Sequence, residues 1–296
     1  MFENSQRAEL ARELSRVSRL NFQQLLAQEL SPKSKSQRIG FTGPPGVGKS
    51  TLIANWAERR LARNRSVGVL AVDPSSPISQ GAILGDRIRM DSLDCRENFY
   101  MRSVASTRVQ DGLCHNALGL LEVFDRFGFD DSVLETVGVG QTEYSIRILV
   151  DTVVLALLPN SGDIIQAMKS GIIEVADIYV VNKSDLPGAD MLVKELENIL
   201  SFRQDSSSWR PQVVQVSSVE STGLEVLDAL IQEHFDWQQA NVDPYQVERR
   251  RQEYRLGELI NYQLQEFIQS NRMNKDGDLV EAYSQLVKRL SSTTDI

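Results

Sequence analysis

The chemistry-bearing residues that stand closest together are Gly43-Pro44-Pro45-Gly46-Val47-Gly48-Lys49-Ser50, followed by Thr51. This is a GxxxxGK[ST] pattern, and it lies between an apolar run, Arg38–Thr42, and a helical run that opens at Thr51, the context the pattern requires. Glycines let such a loop turn tightly enough for its backbone N–H groups to converge on phosphate oxygens. The start of the helix adds its positive partial charge at the same point. Lys49 would then reach the outer phosphates of a nucleoside triphosphate, and the Ser50 hydroxyl would ligate Mg²⁺. Because Mg²⁺ keeps several waters, the site also needs carboxylates. Asp73 after VGVLAV, Asp86 in the next loop and Glu135 after DDSVL stand at strand exits or just beyond. Glu135-Thr136-Val137-Gly138 has the layout of a γ-phosphate sensor, with the Gly138 N–H on the terminal phosphate. Lys49, Asp86 and Glu135 are thus the expected reaction residues, and Ser50, Asp73, Asp86 and Glu135 the expected metal set.

A second constellation selects the base. Asn182-Lys183-Ser184-Asp185 follows the apolar run Ile178–Val181 and matches NKxD. The Asp185 carboxylate can accept from guanine N1–H and the 2-amino group together, whereas adenine offers an acceptor and no 2-amino group. A site built on such a pair can reject the analogue by roughly 10⁴-fold. Lys183 would lie along the base and brace the phosphate loop, and Asn182 would tie neighbouring loops. Val216-Ser217-Ser218-Val219, after the next apolar run, can offer a backbone N–H to guanine O6. The order of these four segments, rather than NKxD alone, points to GTP and GDP.

Several elements must position these residues. Short apolar runs (Arg38–Thr42, Val67–Val72, Phe99–Arg102, Ser132–Glu135, Thr152–Leu158, Ile178–Val181, Val213–Val216) alternate with helical stretches (Thr51–Arg63, Leu113–Phe127, Ile164–Val175, Met191–Phe202, Leu224–His234). That alternation predicts an α/β fold of the P-loop NTPase type, three layers around a mostly parallel sheet, with ligands beyond the carboxyl ends of the strands. Leu10, Leu14, Val17, Phe22 and Leu25 step at helical spacing before a linker at Ser31–Ser36, and a long helical pattern runs from Pro244 to about Ser270. The expected division is a helical extension at 1–36, a nucleotide domain at 37–236 and a helical arm at 237–296.

Composition narrows the partners. Forty acidic against 32 basic residues give a net charge of −8, which argues against a general nucleic-acid or anionic-membrane surface. The most apolar stretch, Ile148–Leu158, is interrupted by Asp151 and is too short to span a bilayer. The opening MFENSQRAEL lacks the apolar stretch of a signal peptide, so a cytoplasmic protein is expected. Cys95 and Cys114 read as reduced thiols, and His115 and His234 as packing or surface residues.

The chain from Arg38 to about Leu230 resembles the MeaB/MMAA/ArgK family, a branch of the G3E P-loop GTPases. The resemblance lies in LAVDPSSPISQGAILGDRIRM (70–90), LETVGVGQTE (134–143) and SGDIIQAMKSGIIEVADIYVVNKSD (161–185), with Glu135 where most GTPases carry aspartate. It implies a GTP-hydrolysing chaperone that gates cofactor loading and protection of an adenosylcobalamin-dependent acyl-CoA mutase of the methylmalonyl-CoA mutase type. It also implies a homodimer made through the C-terminal arm, beginning near Arg249–Tyr254, and a switch loop containing Asp163, Gln166 and Lys169, which share helical spacing. Two segments depart from the family pattern: Asp111 stands at a glycine position, and Pro159-Asn160-Ser161-Gly162-Asp163 replaces a tighter Pro-Gly-Ala-Gly-Asp. Both touch the switch surfaces rather than nucleotide binding. Gln141 is near the segment that would orient the attacking water. Three other readings stand beside this one: a kinase accessory of lysine, arginine and ornithine transport, a metal-insertion G3E GTPase, and a GTP-binding scaffold without turnover. The first would need an acceptor-binding element, the second clustered Cys or His ligands, and the third would release no phosphate.

Overall fold

The computed structural model describes residues 4–20, 24, 36–74, 93, 96–106, 116–136, 142–159, 171–202, 209–270, 280–281, 283–284 and 287–288. In chain order the elements are α1 (Asn4–Val17), β1 (Gln37–Thr42), α2 (Lys49–Ala62), β2 (Val67–Pro74), β3 (Phe99–Ser106), α3 (Ala117–Arg126) and β4 (Asp131–Glu135). They continue as α4 (Thr142–Leu149), β5 (Thr152–Leu157), a 3₁₀ turn (Ile172–Glu174), β6 (Ile178–Asn182), α5 (Ala189–Ser201), β7 (Gln212–Val216), α6 (Leu224–Asn241) and α7 (Pro244–Ser270).

The seven strands form one sheet in the order β3-β2-β4-β1-β5-β6-β7, every neighbouring pair parallel. Strands β1, β4, β5 and β6 are buried along their whole length, with Arg38, Asp131 and Glu135 buried in β1 and β4 beside the apolar residues. Alternation sends Ile39, Phe41, Val133, Val154 and Val180 to one face, against Leu52, Ile53 and Trp56 of α2 and Leu227 and Ile231 of α6. Leu70, Leu134, Leu155, Tyr179 and Val181 face the other way, toward Leu10 and Leu14 of α1, Leu121 and Phe124 of α3, Ile146 of α4, Leu196 of α5 and Leu259 of α7. The three-layer α/β fold expected from the sequence is the one observed.

The differences have local causes. Strand β2 runs two residues past Val72 and β3 four past Arg102, because Ala71 to Pro74 pair with Ser103 to Ser106. Asp73 therefore lies within the strand rather than after it. Helix α4 has no counterpart in the sequence reading, since Thr142, Ile146 and Ile148 are β-branched and weak helix formers. Packing overrides that preference. A Cβ at Gly40 would sit 2.5 Å from Ile146 Cδ1, so the strand glycine is what lets α4 press onto β1. The stretch read as helix to Val175 ends in the 3₁₀ turn Ile172–Glu174, and residues 160–170 lie outside the described residues.

The terminal helices join the same core. Arg7 Nη1 donates to the carbonyls of Phe99 and Arg96, and Asn116 Nδ2 donates to Val17 O, pinning both ends of α1. Helix α6 runs unbroken through residues 236 and 237, and the helical path is interrupted only at Val242–Asp243. Arg251 and Arg255 of α7 then reach the carboxylates of half-buried Asp151 and buried Glu122.

Candidate nucleotide site

β1 lies mid-sheet between β4 and β5, so the loops after β1, β4, β6 and β7 leave one edge of the sheet and can converge there. Three glycines of the first loop have positive φ: Gly43 at 137°, Gly46 at 79° and Gly48 at 92°. At Gly43 the need for glycine is also steric, because a Cβ would lie 2.1 Å from Ala156 O of β5. Pro44 is half-buried, Pro45 and Gly46 are exposed at the tip, and Val47 is buried. Lys49 is buried, and its Nζ donates to Gly43 O (2.8 Å) and Pro44 O (3.1 Å), which holds the ammonium against the loop it serves. Gly48 opens α2 with no side-chain cap, a helix start of the kind that favours an anion.

The structure brings Ser50 to Glu135. The Ser50 hydroxyl donates to Glu135 Oε1 at 2.8 Å, across a separation of 85 residues, and both groups are buried. Register explains the meeting: Glu135 pairs with Phe41 of β1 and Ala71 of β2, one residue short of the start of the phosphate loop's lead-in. Thr136 extends this alignment through N–H to Phe41 O and Oγ1 to Thr42 Oγ1. Asp73 stands two positions further along β2 than the residue opposite Glu135, at the same carboxyl end. Asp86, Gly138, Gln141, Asp163, Gln166 and Lys169 lie outside the described residues.

The loop carrying Asn182 to Asp185 is tied to the phosphate loop and to β7. Asn182 Nδ2 donates to Val47 O at 2.8 Å, and a Cβ on Gly48 would be 2.9 Å from that nitrogen and 3.8 Å from Lys183 Cε. Lys183 thus lies beside the phosphate loop, with a left-handed φ of 54°. Asn182 Oδ1 is buried and has no hydrogen-bond partner among the described residues. The Ser184 N–H donates to Val216 O, and the Ser217 hydroxyl donates to Asp185 Oδ1 at 2.6 Å. That bond fixes the exposed carboxylate by one oxygen and leaves the other for an incoming donor pair. Ser217 is anchored by a two-bond bridge to Thr222, the Ser218 hydroxyl oxygen is buried without a partner among the described residues, and Val219 is exposed at the turn. Sequence reasoning missed the Ser217–Asp185 and Ser50–Glu135 bonds because nothing local signals a contact between distant segments.

A phosphate loop opening a helix at the centre of a parallel three-layer sheet defines a P-loop nucleoside-triphosphate-binding protein. Comparison with known proteins sharpens the class. The profile of the methylmalonyl-CoA mutase-associated GTPase MeaB family matches residues 10–273. A Pyrococcus abyssi relative is 38% identical over 226 residues, covering 75% of this chain and 70% of its own. The mouse methylmalonic aciduria type A homolog, mitochondrial, is 36% identical over 215 residues, 71% of this chain and 51% of its own. The Escherichia coli GTPase ArgK is 36% identical over 201 residues, 66% of this chain, which spans 60% of that protein's length. The chain belongs to the MeaB family and is a GTPase. In fold it is similar to a LAO/AO transport system kinase (TM-score 0.62, 22% identity, 98% of this chain and 99% of that one). It is also similar in fold to HypB from Helicobacter pylori in complex with nickel (TM-score 0.52, 15% identity, 78% of this chain and 96% of that one).

Proposed function

We propose that the protein is a Mg²⁺-dependent GTP-driven switch that gates cofactor loading and protection of an adenosylcobalamin-dependent acyl-CoA mutase. The observation that carries the nucleotide half is the pairing of Ser50 with Glu135 beside a phosphate loop that Asn182 ties to the base-reading segment. The client half is supported by family membership and by the mouse relative's name.

The residues fit the metal. A hydroxyl and a carboxylate already in contact, both buried, make an all-oxygen donor set suited to a small hard cation that retains waters. Ser50 would hold Mg²⁺ directly, with Glu135, Asp73 and Asp86 around its water shell, and the ion would supply charge neutralisation on the outer phosphates. Lys49 would leave the Gly43 and Pro44 carbonyls for the β- and γ-phosphates, and the loop N–H groups would hold their oxygens. Asp185, fixed by Ser217, would read guanine, Lys183 would cover the base plane, and the 217–219 turn would donate to O6. Gly138 and the segment bearing Asp163, Gln166 and Lys169 would pass the γ-phosphate signal to the client. Intrinsic turnover would be slow and raised by that client.

The remaining parts of this reading are a cytoplasmic location and a homodimer. No helix among the described residues is long and apolar enough to cross a membrane. On α7, Tyr245, Leu256 and Ile260 are exposed apolar residues that a second copy would cover, a role tested by sedimentation of the full chain.

The client reading is tested by mixing the purified protein with purified methylmalonyl-CoA mutase, in GDP and in a non-hydrolysable GTP analogue. Complex formation that depends on the nucleotide is expected. Failure to bind such a mutase in either state would remove the chaperone role and leave the GTPase.

A further inference from the structure

Away from the nucleotide, α1 carries two faces of opposite kind. Leu10, Leu14 and Val17 are buried against the core. Arg12, Arg16 and Arg19, the last in the turn that ends the helix, are exposed on the opposite side at i, i+4 and i+7. With Ala11 and Ser15 they line a shallow groove of about 380 Å³. Its floor is fixed from the sheet, because Arg102 of β3 donates to Ser15 Oγ at 3.1 Å.

The local balance of charge is the reverse of the chain's. Glu13 is shared between Arg16 (2.7 Å) and Arg126 (3.1 Å), and the hydrogen bond from Arg16 holds its carboxyl below the usual range. Arg12 turns its Nε back to Ala8 O, and neither Arg12 nor Arg19 forms an ion pair among the described residues. Helix-end electrostatics explain cations in the last turn, which covers Arg16 and Arg19, but not Arg12 one turn earlier. Glu13 answers Arg16 from within the helix through two hydrogen bonds, so the cations left for a counter-charge from outside are Arg12 and Arg19. Guanidinium forks match carboxylates in pairs, and Arg is enriched at protein interfaces. A net charge of −8 opposes a long nucleic-acid track, which leaves an acidic polypeptide as the favoured occupant.

We propose that the Arg12–Arg16–Arg19 groove docks an acidic helix of the client, with carboxylates at matching helical spacing. This rests on the client reading above. Asn116, which holds Val17 O, opens α3 directly after residues 107–115, the segment where Asp111 departs from the family pattern.

The test uses the full chain carrying R12E/R16E/R19E, with R12K/R16K/R19K as the charge-preserving control. Two probes are used: purified methylmalonyl-CoA mutase, and a labelled Glu/Ala helical peptide of roughly 18 residues with Glu at i, i+4 and i+7. The wild type should bind the peptide in low salt and release it as salt rises, and the Glu variant should bind about tenfold or more weakly. The Lys variant should retain most binding, and both variants should keep circular dichroism and GTP affinity. If the mutase binds, the Glu variant should lose affinity for it by a similar factor. If the mutase fails to bind while the peptide discriminates the variants, the client reading falls and the acidic-helix site stands. Equal peptide binding by wild type and Glu variant, or stronger binding of a short DNA duplex or a phosphatidylserine vesicle than of the peptide, would overturn the site.

Discussion

The two ends of the same sheet use charge in opposite ways. At the carboxyl ends, Glu135 and Asn182 close their strands, Lys49 opens α2 and Asp185 follows β6, with polar atoms such as Asn182 Oδ1 buried and unmatched within the described residues. At the amino ends, charged side chains are buried too, but they answer one another. Asp131, which opens β4, accepts from both Arg60 and Arg65, and Asp228 accepts from Arg60, Arg63 and the Trp56 indole. Arg38, at the start of β1, pairs with Asp125, Asp151 with Arg251, Glu122 with Arg255, and Asp177 with Arg147. Burial alone therefore does not mark a binding site. What distinguishes the nucleotide end is that its buried polar groups face loops built for a ligand, while those at the amino end are spent on holding α2, α3, α6 and α7 to the strands.

If that contrast is right, the largest loss of stability should come from the end that binds nothing. Asp131→Ala leaves two guanidinium groups beside a fully buried position, so unfolding free energy in urea should fall by about 3–5 kcal/mol. Any molecules still folded should bind GTP normally. The opposite signature belongs to Lys49→Ala: phosphate release should drop by roughly 10²–10³-fold, with a melting temperature close to wild type. Equal hydrolysis by that variant would break the assignment of the carboxyl end.

His234 sharpens the comparison through pH. Its ring is completely buried, bonded by Nδ1 to Thr152 Oγ1, edge-on to Trp209 and stacked with Trp237. Burial, reinforced by the nearby Arg147 cation, pushes its pKa down from 6.5 to about 3; Asp177 lies 3.4 Å from Nε2 but is already engaged by Arg147. Between those values the unfolded chain takes up a proton that the native chain refuses. Stability from this group is whole above pH 6.5 and should decline as pH falls toward 3, by up to about 1.4 kcal/mol per pH unit. Urea titrations of wild type and His234→Gln across that window should diverge in slope. The smallest effect is expected at Ser217→Ala, which frees one oxygen of Asp185. Losing a bond of about 1 kcal/mol should weaken GDP roughly fivefold without altering the urea midpoint by a comparable amount.

Legibility followed distance along the chain. Both nucleotide motifs are contiguous, and glycine or the residue types beside it dictate the loop shape, so they could be read with their strands and helices. The amino-end belt joins positions as far apart as Arg60 and Asp228, separated by 168 residues, and no spacing rule links them. Helix α4 is hidden for a related reason: eight residues make too short a helix to stand alone, and Ile146 and Leu149 secure it by packing on the sheet. The terminal helices are legible in their periodicity, yet periodicity says nothing of which surface each covers.

An alternating α/β order, a phosphate-loop pattern and an NKxD pattern are legible from the sequence alone, because each depends on the types of adjacent residues. Only the assembled sheet and its helical layers bring Ser50 to Glu135 and Ser217 to Asp185, and turn the arginines of α1 outward. Those contacts depend on strand register and layer packing, which exist only once residues far apart in the chain have been brought together and water has been excluded between them.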